Sequence, residues 1–144
     1  MARGYPDFFG FSVFPSHGGM LNESSAVVVP SGPLTEIVRV TGKGVLDAVS
    51  IIIFDVEASV YDLMVFYFND LMIAQLTWYA ALITGSNKPT LGEPHICGYD
   101  PYTPAFRMIL QGPLSFDTSV SISYQVVGAN PVTVIPAIKY SLYR

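Results

Sequence analysis

The sequence is poor in charge and in cysteine, and each shortage excludes a class of protein. Only 12% of its 144 residues are charged, about half the usual share for a soluble domain. Eleven acidic against seven basic residues leave a net charge of −4, which argues against a basic surface for nucleic acid. A single cysteine provides neither a disulfide framework nor a thiolate zinc cluster.

Apolar residues, by contrast, are abundant. They make up 51% of the chain, which excludes intrinsic disorder, and the mean hydropathy of +0.44 raises the question of a membrane span. The most apolar window, residues 63–83, is interrupted by Asn69 and Asp70, so we predict two strands and no contact with a membrane. A soluble domain this poor in charge usually hides part of its surface against other subunits, which predicts an obligate oligomer.

The N-terminus argues for synthesis in the cytoplasm. Pro6 and Asp7 fall where a secretory signal peptide needs an apolar run. Residues 1–24, rich in glycine and proline, are expected to form a flexible arm or a first strand, and residues 25–144 a single β-sandwich domain.

Alternation with a period of two dominates the rest of the chain. From Leu114 to Val126 every second residue except Thr118 is apolar, and the residues between are mostly serine. This pattern predicts one strand with a buried and a wet face. Asn69 and Asp70, between two apolar runs, predict a hairpin turn. Seven or eight such strands predict an all-β fold, an antiparallel sandwich or barrel, and we favour a jelly roll over an immunoglobulin-like sandwich.

Two segments do not show this strand pattern. Residues 77–83 fit either a longer strand or a short helix. Residues 84–105 hold four prolines, too many for regular structure, and a loop of that length inside a small domain is often functional.

No residue pattern typical of catalysis or metal binding is present. His95, Cys97 and Asp100 lack the second pair of ligands that a metal site would need. Gly42-Lys43-Gly44 lacks the spacing of a phosphate-binding loop and predicts a tight turn. The acidic pairs Asp55/Glu57 and Asp62/Asp70 fit solvated turns better than a pair of catalytic carboxylates. We therefore expect neither an enzyme nor a bound cofactor or metal.

The aromatic residues of the arm and of the long loop are the best candidates for contacts with a partner. Two interpretations stay open for the loop: it stacks on sugar rings, as in a carbohydrate-binding module, or it packs against a neighbouring subunit. For the arm, pairing as a first strand also stays open, because Phe9, Phe11 and Val13 alternate. The candidate contact residues are Phe8, Phe9, Phe11, Phe14, Tyr99 and Tyr102.

Three stretches together resemble the capsid decoration, or cement, proteins of tailed phages. They are Gly42-Lys43-Gly44 leading into residues 45–51, the hairpin around Asn69-Asp70, and the strand that begins at Gly112-Pro113-Leu114. The resemblance implies a homotrimer that binds the major capsid protein shell, stabilises it from the outside of the virion, and needs no cofactor. The alternative is a β-sandwich binding module for a carbohydrate or a host receptor, as in a phage tail or fibre.

Overall fold

The computed structural model describes residues 21–83, 94–100 and 105–143, and every structural statement below concerns these residues. They form ten strands and one short helix. The elements are β1 (Leu21–Ser24), β2 (Val27–Val29), β3 (Thr35–Thr41), β4 (Gly44–Phe54), β5 (Leu63–Phe68), β6 (Leu71–Thr77), α1 (Trp78–Ile83), β7 (Pro94–Asp100), β8 (Ala105–Phe116), β9 (Ser119–Gln125) and β10 (Val132–Leu142).

The strands form two antiparallel sheets that pack face to face. The larger sheet has the order β1-β10-β4-β8-β7, with β2 also paired to β10. The smaller sheet has the order β3-β9-β5-β6. Both sheets therefore place strands from the two halves of the chain side by side. The predicted all-β antiparallel sandwich is confirmed.

The core lies between the sheets and follows the period-two pattern. On β4, Val49, Ile51 and Ile53 are at most 2% exposed, because alternate side chains of a strand point to the same face. Four residues expected in the core are buried there with them: Phe116, Val120, Ile122 and Tyr124.

The prediction of one strand from Leu114 to Val126 is wrong. β8 ends at Phe116, Asp117 and Thr118 form a turn, and β9 begins at Ser119. The expected wet face of β9 is also wrong, because Ser121 is only 1% exposed. It lies between Arg39 on β3 and Tyr67 on β5 in the pairing register, and these longer side chains flank its short hydroxymethyl group.

The expectation that residues 84–105 lack regular structure is wrong for part of the segment. Pro94–Asp100 form β7, which pairs with β8. Pro94 occupies the first position of the strand, where the missing N–H group of proline is tolerated. Residues 77–83, for which strand and helix were both open, form the end of β6 and the helix α1. The hairpin at Asn69-Asp70 is confirmed, with φ angles of 54° and 61°.

The sandwich has two ends that differ in construction. At the first, which we call the turn end, residues 42–43, 69–70 and 117–118 connect successive strands by tight turns. A side chain at Gly44, next to the first of these turns, would collide with the carbonyl oxygen of Ser141. At the second, which we call the loop end, residues 30–34, 55–62 and 126–131 form longer connections.

Candidate interaction surfaces

A buried hydrogen-bonded chain holds the loop end together. Trp78, the first residue of α1, donates from Nε1 to the hydroxyl oxygen of Tyr124 at 2.8 Å. Tyr124 donates in turn to Oδ2 of Asp62 at 3.2 Å. Asp62 also accepts from the backbone N–H groups of Val127 at 3.0 Å and Ser59 at 3.2 Å. This series of hydrogen bonds thus connects the β4–β5 loop, β9 and α1 at Asp62 and Tyr124.

Burial dominates the electrostatics of this chain. Asp62 is completely buried, and desolvation raises the pKa of its carboxyl, although hydrogen bonds from Val127, Ser59 and Tyr124 oppose the rise. Desolvation and the nearby carboxyl of Asp62 both raise the pKa of Tyr124. Tyr124 therefore remains a hydroxyl that can donate, and the buried acid has its lone pairs satisfied.

An exposed apolar surface covers the loop end around this chain. Val56 is 81% exposed, Tyr61 58% and Val127 54%. Tyr61 and Tyr79 form a tilted ring pair whose centroids lie 5.3 Å apart, and Tyr79 is held by a 2.8 Å bond from its N–H group to the carbonyl oxygen of Val60. We call Leu34, Val56, Tyr61, Tyr79 and Val127 the loop-end surface; all five are exposed large apolar residues.

A second exposed apolar surface lies on β6. Leu71, Met72 and Ile73 are 70%, 57% and 47% exposed, and we call them the edge surface. In the described part of the chain, β6 has a neighbouring strand on one side only. An edge strand that carries exposed apolar side chains offers both backbone hydrogen-bonding groups and hydrophobic contact to another chain. The edge surface lies near the turn end, away from the loop-end surface.

The outer face of the larger sheet carries two cavities. One, of about 280 Å³, lies over the middle of the sheet and is lined by residues that include Ser50, Arg107 and Lys139. The other, of about 230 Å³, lies beside it and includes Phe54 and Arg107. Phe54 is 74% exposed.

The candidate contact residues predicted from the sequence lie mostly outside the described part of the chain. Phe8, Phe9, Phe11, Phe14 and Tyr102 lie outside the described residues. Tyr99 lies in β7, where its backbone pairs with Phe106. Their role as contacts stays a prediction.

The residues considered for metal or acid–base chemistry are placed as follows. His95 on β7 is 5% exposed, and its Nδ1 atom has no hydrogen-bond partner among the described residues. Within residues 21–83, 94–100 and 105–143 no group of three or more potential ligands could hold a metal ion. Asp62 and Asp70 lie at opposite ends of β5 and its hairpin, so they do not form a carboxylate pair.

The edge surface and the outer-face cavities were not anticipated from the sequence. Three consecutive apolar residues directly after the Asn69-Asp70 turn were a signal for the edge surface, because a strand with one wet face would alternate there. No sequence pattern indicated the cavities, because they form where small side chains from separate strands lie next to one another in the sheet.

No protein-family model matches the sequence, and a search of curated proteins finds no significant match. In the part of the chain that the structure describes, no helix combines the length and the hydropathy needed to cross a bilayer.

Proposed function

We propose that the protein is a structural component of a phage virion, a homotrimeric decoration protein that binds the outside of the capsid and stabilises it. The observation that carries this proposal is the presence of two separate exposed apolar surfaces on one small sandwich. A decoration protein needs two contacts, one with its own copies and one with the shell. Large exposed apolar patches on soluble proteins usually mark such contacts.

The order of the strands supports the proposal. We infer that the sandwich is a jelly roll, because β3-β9-β5-β6 faces a sheet that contains β1-β10-β4-β8, with early and late strands interleaved in both sheets. Jelly rolls are common in viral capsid proteins and in lectins. The strand order therefore agrees with a virion protein and equally allows a saccharide ligand.

We assign the edge surface to the contact between copies. The side of β6 that has no neighbouring strand in the described part of the chain can pair with a strand of a neighbouring subunit, and Leu71, Met72 and Ile73 are then removed from water. A head-to-tail contact of this kind forms a closed ring when the rotation between copies is threefold. The loop-end surface, together with the phenylalanines of residues 1–20, then contacts the capsid.

Sedimentation with capsids tests this proposal. The purified protein should pellet with empty, expanded capsids of its own phage and stay in the supernatant without them. Val56→Asp places a charge on the loop-end surface and should abolish pelleting while the trimer is retained. Ser115→Asp adds the same charge at an exposed position of β8 and should leave pelleting unchanged.

Two results would contradict the assignment. Wild-type protein that stays in the supernatant at every capsid concentration would remove the capsid role. Retention on a glycan resin in the same preparation would favour the alternative, a β-sandwich binding module.

A further inference from the structure

The three connections of the loop end are joined to one another by hydrogen bonds. In the β2–β3 connection, the hydroxyl of Ser31 donates to the carbonyl oxygen of Gly128 in the β9–β10 connection. Asn130, also in the β9–β10 connection, donates from Nδ2 to Oε2 of Glu57 in the β4–β5 connection at 3.0 Å. The exposed apolar residues of these connections therefore belong to one surface and not to three separate loops.

A turn at the start of the β4–β5 connection places an apolar side chain between two acids. The backbone N–H group of Glu57 donates to Oδ1 of Asp55 at 2.9 Å, and that of Ala58 donates to the carbonyl oxygen of Asp55 at 3.1 Å. Oδ2 of Asp55 accepts from the N–H group of Thr133 on β10 at 2.9 Å. These bonds fix a turn with Val56 and Glu57 at its tip, where both are exposed.

The loop end carries negative charge and no positive charge. Its three connections contain three acids, Asp55, Glu57 and Asp62, and no lysine or arginine. Asp62 is completely buried, whereas Asp55 is half-buried and Glu57 is exposed. The hydrogen-bond partners of Asp55 and Glu57 are backbone N–H groups and an amide side chain. These donors carry no net charge, so both carboxylates keep theirs.

This charge limits which partner can cover the loop-end surface. A wholly apolar partner would take water from the two carboxylates without replacing it, which destabilises a complex. An acidic partner, such as a nucleic acid, would be repelled. Lysine or arginine at the rim of the contact would instead compensate the carboxylates and would also increase the rate of association. Apolar side chains at its centre would cover the exposed apolar residues.

We propose that the loop-end surface binds a polypeptide segment in which apolar side chains are flanked by lysine or arginine. The apolar side chains lie against Val56, Tyr61 and Val127, and the basic side chains lie beside Asp55 and Glu57. The inference rests on the proposed capsid contact of this surface and specifies the chemistry of the shell segment that makes it.

Titration of labelled peptides with the full chain, followed by fluorescence anisotropy, tests the proposal without a capsid. The probe has a pair of leucines around a proline and a pair of lysines at each end; the proline lacks an N–H group and disfavours pairing with the edge of β6. One control peptide has glutamate in place of lysine, and another has serine in place of leucine. We expect saturable binding of the probe, weaker binding at higher salt, and at least about tenfold weaker binding of both controls.

Matched charge variants locate the binding. Glu57→Gln should weaken binding of the probe by about two- to fivefold, as expected for the loss of one exposed ion pair. Glu57→Lys should weaken it by about tenfold or more, because like charges then face each other. Asp117→Lys makes the same change of net charge at an exposed position of the turn end and should bind as wild type does. Thermal unfolding of each variant confirms that the chain is folded.

Four outcomes would overturn the proposal. The first two are the absence of saturable binding of the probe and equal affinity for the glutamate peptide. The third is a loss of affinity in Asp117→Lys as large as that in Glu57→Lys, which would show general attraction of cations. The fourth is a smaller assembled mass of Glu57→Lys than of wild type, which would show that a second copy of the chain covers the surface. Each of these can occur while wild type still pellets with capsids, so this inference and the capsid role can fail separately.

Discussion

The strands of the two sheets are connected at both ends of the sandwich, but the two ends are stabilised by different interactions. At the turn end, Asn69 Oδ1 accepts from the backbone N–H groups of Asp117 at 2.7 Å and Thr118 at 2.9 Å, so one side chain joins two turns near the surface. At the loop end, the completely buried carboxylate of Asp62 accepts hydrogen bonds from the Tyr124 hydroxyl and from the backbone N–H group of Val127. The turn end therefore depends on local backbone conformation, and the loop end on contacts between distant parts of the chain.

The difference also bears on contacts with other chains. The loop end presents exposed apolar side chains around a buried chain of hydrogen bonds that joins three elements of the fold. A surface held rigidly before binding loses less conformational entropy when a partner covers it. The loop end thus has the construction expected of a contact surface, while the turn end closes the fold.

The largest effect is expected at the loop end. Trp78→Ala removes a completely buried ring that lies 5.2 Å from the ring of Phe106 and donates to Tyr124. It should lower the free energy of unfolding by about 3–5 kcal/mol, measured by chemical denaturation. Tyr79→Ala, at the next and partly exposed position of α1, should cost less than about 1 kcal/mol. Equal losses would show that α1 is not anchored through Trp78.

A smaller effect is expected at the turn end. Asn69 has a φ angle of 54° and also accepts the two hydrogen bonds from Asp117 and Thr118. Asn69→Gly keeps the conformation and should cost about 0.5–1.5 kcal/mol, whereas Asn69→Ala loses both features and should cost about 1–3 kcal/mol. Denaturation curves of the two variants separate the two contributions. Identical stabilities of the two variants would mean that the positive φ angle does not destabilise alanine at position 69.

The smallest effect is a difference in pH dependence. Because burial raises the pKa of Asp62, the folded chain binds this proton more tightly than the unfolded chain. The resulting stability is fully present below the ordinary carboxyl value near 3.8 and is lost as the pH rises through the higher folded value. Wild type should therefore lose stability relative to Asp62→Asn across that window.

Denaturation at a series of pH values measures this difference. Asp117→Asn, which retains Asp62 and changes an exposed acid at the turn end, should keep the wild-type dependence. If wild type and Asp62→Asn give parallel curves, the buried carboxyl does not govern the loop end.

The same contrast explains how much could be predicted from the sequence. The hairpin at Asn69-Asp70 and the buried positions of β9 were predictable, because turn chemistry and period-two alternation are local. The hydrogen bond between Tyr124 and Asp62 joins residues 62 positions apart, and no local sequence pattern indicates it. For the same reason Asp62, considered only as a member of a carboxylate pair, was not expected to be buried.

The sequence-based predictions that proved wrong also failed because they depend on contacts between distant residues. The pattern from Leu114 to Val126 continues through the turn at Asp117-Thr118 with unchanged period, so alternation alone could not reveal the change of sheet. The burial of Ser121 depends on Arg39 and Tyr67, which only the pairing register places on either side of it. The outer-face cavities likewise depend on small residues from separate strands.

The mass of the protein in solution tests the central claim most directly, because the account rests on the proposal that other chains cover the exposed apolar surfaces. Sedimentation equilibrium of the full chain at micromolar concentration should give three times the 15.7 kDa of one chain. Ile73→Asp, in the edge surface, should shift the protein to a monomer that remains folded. A wild-type protein that sediments as a 15.7 kDa monomer at these concentrations would contradict the account.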